Sequence, residues 1–104
     1  MIEYQKLVRD RIPQIIQNSG YIPVTRVLDD EEYLECLEKK LDEEVAEFHR
    51  DNNTEELADV LEVVYALAEV NGYSPEQLNR ICAEKRAERG AFHDRIFLIG
   101  KETP

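Results

Sequence analysis

The chain has 104 residues, with 23 acidic side chains against 13 basic ones and a formal net charge of -10. That length holds one domain, and a hydrophobic fraction of 42% with four glycines and four prolines excludes a disordered polyanion or a low-complexity linker. The charge argues against a nucleic-acid polymer as partner, and so short a chain buries only a modest core, so a homo-oligomer, dimer or tetramer, is expected.

In chain order, Asp10 is the expected cap of a short helix whose Ile12, Ile15 and Ile16 recur at helical spacing, with Pro13 in the first turn and Gly20 as the stop. Residues 21–28, with two valines and a proline, read as an extended connector. Asp29 or Asp30 then opens a long helix with the apolar stripe Leu34, Leu37, Leu41, Val45 and Phe48. After the turn Asp51-Asn52-Asn53-Thr54, with Thr54 as the expected N-cap, a second long helix carries Leu57, Leu61, Val64, Tyr65 and Ala68 on one side. Asn71-Gly72 ends it.

Ser74-Pro75-Glu76-Gln77 has the cap, the first-turn proline and the reciprocal Gln of a capping box. It starts a helix running through Leu78, Ile81 and Cys82 to Gly90. Residues 92–99 are too apolar to be left in water, so they are expected to cover the helices or a partner subunit. The fold class is therefore all-α: one domain over residues 1–104, a helical hairpin completed to a four-helix-bundle-like arrangement through oligomerisation.

No apolar run approaches the ~20 residues of a membrane span, and the opening Met1-Ile2-Glu3-Tyr4 lacks the apolar stretch of a secretory signal, so a cytoplasmic protein without a membrane partner is expected. Cys36 and Cys82 are far apart and read as free thiols. The chain has no GxGxxG, no GxxxxGK[ST] and no HExxH.

The charge is unevenly spread. Residues 29–69 hold 16 acids and three bases, for -13, while the flanks sum to +3. Within the acidic centre, Glu44 and Glu47 lie roughly 60° and 120° from the middle of the apolar stripe on an ideal helix. Glu56 and Asp59 repeat the i, i+3 spacing after the turn, so an antiparallel hairpin sets the two pairs side by side. Converging carboxylates repel unless a cation neutralises them, and oxygen-only ligands select hard ions, Mg²⁺ first. The competing reading is an ordinary solvated helix face, or an acidic helical adaptor that binds a basic partner without catalysis.

Glu44-Val45-Ala46-Glu47 followed by Glu56-Leu57-Ala58-Asp59 resembles the ExxE…ExxD signature of the MazG-like all-α nucleoside triphosphate pyrophosphohydrolases, a superfamily that includes phosphoribosyl-ATP pyrophosphohydrolase. The opening Tyr4-Gln5-Lys6-Leu7-Val8-Arg9-Asp10-Arg11-Ile12-Pro13 is similar to the N-terminal "KLVRDKIP" segment of a small MazG-like subgroup. The stretch Lys85-Arg86-Ala87-Glu88-Arg89-Gly90-Ala91-Phe92 resembles the family's closing "KxxxRGxF" element. The gap between the two acidic motifs is shorter than in the superfamily's larger members.

The resemblance implies Mg²⁺-dependent (or Mn²⁺-dependent) cleavage of a nucleoside triphosphate between the α- and β-phosphates, giving a monophosphate and pyrophosphate. The role would be removal of surplus or aberrant nucleotides or, alternatively, processing of phosphoribosyl-ATP in histidine synthesis. It makes Glu44, Glu47, Glu56 and Asp59 the metal ligands, and Glu43 or a ligating glutamate the group that orients the attacking water. Lys85 and Arg89 become phosphate clamps, with Lys6 and Arg9 as further candidates. Pairing of Lys85 and Arg89 with the neighbouring Glu84 and Glu88 is the ordinary alternative. His49 and His93 read as surface histidines, and Tyr65 as a core residue.

Overall fold

Four helices and no strands form along the chain: α1 (Ile12–Asn18), α2 (Asp30–Asp51), α3 (Thr54–Val70) and α4 (Pro75–Arg89). The computed structural model describes residues 1–104. The all-α class is as expected.

Local chemistry explains most of the boundaries. Asp29 opens α2, its carboxylate accepting from the Glu32 backbone N–H at 2.9 Å, and Asp30, Glu31 and Glu32 sit where the helix dipole favours anions. Ser74 and Gln77 form the reciprocal capping box that opens α4. Gly20, at φ 92°, turns the chain out of α1 while the Gly20 and Tyr21 amides close onto Gln17 and Ile16 carbonyls.

Two expected caps are corrected. Asp10 does not cap α1: Arg11 holds that position without a side-chain bond, and the helix starts one residue later. Asn53, not Thr54, caps α3, accepting from Glu56 N–H at 3.0 Å; of two adjacent cap-forming residues the stronger acceptor takes the position. Between α2 and α3 only Asn52 and Asn53 intervene, Asn52 in the left-handed region at φ 51°.

The only helix pairs in contact are α2 with α3 and α3 with α4. Four residues are buried: Leu37, Glu44, Val63 and Ala68. On an ideal helix Leu37 and Glu44 point within about 20° of each other, whereas Leu34 and Val45 lie about 60° and 80° to one side of Leu37. The packed face of α2 is thus turned away from the middle of the expected stripe, and Leu34 and Val45 stay partly exposed.

On α3 the difference is larger. The expected core side, Leu57, Leu61, Val64, Tyr65 and Ala68, faces α4 at its C-terminal end, where the Tyr65 hydroxyl donates to Asn79 Oδ1 at 3.1 Å. Its N-terminal end is uncovered, with Leu57 and Leu61 nearly half exposed. Against α2 the helix turns the side that carries Val63, Glu56 and Asp59, which share a sector of roughly 60°. Periodicity finds an apolar stripe but does not say which neighbour covers it.

Of the two covers expected for the C-terminal segment, the helices of its own chain are not used. Phe92, Ile96, Phe97, Leu98 and Ile99 are each at least 80% exposed. The radius of gyration is 18.6 Å, where a compact chain of this length measures about 13 Å. No helix is long and apolar enough to cross a membrane.

Candidate functional site

The short α2–α3 connection sets the last turns of α2 against the first turns of α3, and the acids of both helices meet there. Carboxylate oxygens of Glu43, Glu44 and Glu47 lie within 4.8 Å of one another, as do those of Glu44, Glu56 and Asp59. Glu44 belongs to both groups and is only 7% exposed. The four acids expected to share a site are therefore brought together, and Glu43 stands beside them. Glu44 departs from expectation in depth, since it lies inside the helix–helix contact rather than beside it.

Acidic groups are common on helical surfaces, so burial and bonding decide what this cluster means. A buried carboxylate without compensation costs several kcal/mol, and such groups are normally paired. Here Glu44 Oε1 meets Lys40 Nζ at 3.4 Å, but Glu44 Oε2 and Glu56 Oε2 are buried with no hydrogen-bond partner. Burial, then the neighbouring Glu47, raise the Glu44 carboxyl above the usual glutamate range against the pull of Lys40. Glu56 is raised as well, by desolvation and then by Glu47, Asp51, Asp59 and Glu44. Two raised carboxyls and two orphan oxygens describe a site short of positive charge. An oxygen-only donor set of this kind is compatible with a hard divalent cation, which Glu44, Glu56 and Asp59, with Glu47 beside Glu44, could hold.

Two cations offset part of the deficit. Lys40, only 18% exposed at its side chain, lies 3.5 Å from Glu43 and 3.4 Å from Glu44. It was not among the expected site residues, although its i, i+4 spacing from Glu44 is a signal in the sequence. Arg9 arrives from the N-terminal segment, its Nη2 donating to Asp59 Oδ1 at 2.9 Å. Of the four basic candidates it is the one joined to the cluster.

The others are elsewhere. Lys6 lies over the Tyr4 ring at 5.7 Å. Lys85 and Arg89 project from α4, which does not touch α2, and they pair neither with the cluster nor with Glu84 or Glu88. Both histidines are exposed, and Cys36 and Cys82 are free thiols.

No family model and no solved structure matches the chain. An uncharacterized protein of Mycolicibacterium smegmatis is 62% identical over 42 residues, which cover 40% of this chain and 43% of that protein. The matched stretch thus spans less than half of the relative's length.

Proposed function

We propose that the chain is a Mg²⁺-dependent nucleotide pyrophosphohydrolase of the MazG-like kind, converting a nucleoside triphosphate to its monophosphate and pyrophosphate. The observation that carries this reading is the buried Glu44, shared by two carboxylate groups and left with an unpartnered oxygen. A purely structural interface has no use for that arrangement, because an apolar residue of similar volume holds two helices together at lower cost. When bound, the metal would neutralise phosphate oxygens and acidify the attacking water.

The remaining parts fall to this chain's own residues. Glu44, Glu47, Glu56 and Asp59 hold the cation, and Glu43, half exposed at the rim, orients the water. Arg9 is the phosphate contact best supported by position, ahead of Lys6, Lys85 and Arg89. Surplus or aberrant nucleotides in the cytoplasm are the favoured substrates.

A homo-oligomer belongs to this reading. The chain exposes 9709 Å², against about 6,100 Å² for a compact monomer of its mass. The apolar residues left in water, Leu57 and Leu61 on the hairpin and Ile96 to Ile99 beyond α4, are what a second copy would cover.

The test is product analysis. With Mg²⁺ and a panel of nucleoside triphosphates and phosphoribosyl-ATP, pyrophosphate is the expected product, and orthophosphate alone or no turnover overturns the reading. Glu47→Gln and Asp59→Asn are each expected to lower kcat/KM by more than about a hundredfold, the upper end of what groups one step removed from a metal contribute.

A further inference from the structure

Arg9 precedes Asp59 by 50 positions and lies on a segment whose following helix, α1, touches no other helix. Its 2.9 Å bond to Asp59 is the one side-chain hydrogen bond between residues 1–11 and the hairpin. Asp59 is also a member of the Glu44, Glu56 and Asp59 group, in which two buried oxygens remain without a partner. The cluster therefore still needs positive charge after Arg9 and Lys40 have taken their places. A single carboxylate stands between an intramolecular cation and whatever cation the cluster recruits.

We propose that Arg9 is a built-in competitor for Asp59: a divalent cation held by Glu44, Glu56 and Asp59 displaces its guanidinium and frees the N-terminal segment from the hairpin. The proposal rests on the metal-binding part of the reading above, and not on hydrolysis. Both partners of the ion pair are about half exposed, 57% and 43%, and such pairs are weak. A divalent ion meeting three carboxylates outbids one exposed guanidinium. Because arginine keeps its charge at any pH the protein meets, the exchange is driven by the ion and not by protons. Once released, the planar fork of Arg9 is presented at the rim of the cluster, where it matches a phosphate.

The test titrates MgCl₂ alone into the intact protein by calorimetry, for wild type, Arg9→Gln and Arg11→Gln. Arg11 carries the same charge two residues away and pairs with no acid. Arg9→Gln is expected to bind Mg²⁺ about two- to fivefold more tightly, the worth of an exposed ion pair, with Arg11→Gln unchanged. In wild type the Arg9 Nε–Hε NMR resonance is expected to move along the same binding curve. Equal gains in both variants, no gain in Arg9→Gln, or an Arg9 resonance that stays fixed while Mg²⁺ binds would each overturn the proposal, as would absence of Mg²⁺ binding. If the exchange occurs and no nucleotide is hydrolysed, the competitor stands and the pyrophosphohydrolase reading falls.

Discussion

Leu37 and Glu44 lie seven residues apart on the same face of α2, and both are buried against α3, yet the two ends of the hairpin they occupy are built on opposite principles. Around Leu37, 3% exposed, apolar surface leaves water and stabilises the pair of helices. Around Glu44 the same helix face carries a carboxylate whose charged form the surroundings disfavour. One end holds the helices together, and the other spends stability to keep acids in place. A face that is uniform in geometry is thus divided in function, and the division falls within two turns.

The largest expected break of this contrast is Leu37→Ala. In a chain with four buried residues, losing that side chain costs about 2–5 kcal/mol, and circular dichroism should show a large drop in Tm or loss of the cooperative transition. At the other end the sign reverses. Glu44→Gln is expected to raise the Tm of the ion-free protein, because folding disfavours the charged carboxyl, and to show none of the rise in Tm that Mg²⁺ is expected to give wild type.

Acid should act on the ion-free protein as that substitution does. Glu44 and Glu56 have pKa values raised by folding, so the folded state holds their protons more tightly than the unfolded one. The resulting stability is full below the ordinary glutamate value near 4.5 and is lost as pH rises through the raised values. Ion-free Tm is therefore expected to climb as pH is lowered toward that ordinary value, and saturating Mg²⁺ to flatten the slope. Glu32, lowered chiefly by its hydrogen bond from Arg26, works in the opposite direction, losing its contribution as pH falls below that same ordinary value. The smallest effect belongs to that surface pair: Arg26→Ala removes two exposed bonds to Glu32 and should leave Tm nearly unchanged, because solvent screens such pairs.

Sequence pattern carried the helices and their order, because caps and apolar periods are local. The Ser74–Gln77 box and the Asp29 cap follow from side chains three residues away. The i, i+3 acids also announced a cluster. The pairing of faces was not legible: the stripe from Leu57 to Ala68 is apolar whether α2 or α4 covers it, and the structure gives it to α4 in part. Burial of Glu44 follows from that choice and could not be read without it. The Arg9 bond to Asp59 spans 50 positions with no periodicity to mark it, whereas Lys40, four residues before Glu44, was open to a local reading.

The two-residue link Asn52–Asn53 has a consequence for how this hairpin tolerates change in length. With the Asn53 cap and the contact with α2 kept, removing one residue from the first turn of α3, ahead of Glu56, would shift every later side chain by one helical position, about 100° and 1.5 Å. One deletion would take Glu56 and Asp59 out of the positions beside Glu44 and put Leu57 and Val60 in their place. Such a hairpin would bury more apolar surface and hold no cation, so it would be the more stable protein and the emptier one. The register of α3 behind its cap, set by the two residues between Asn53 and Glu56, is the dimension along which the site is most easily lost.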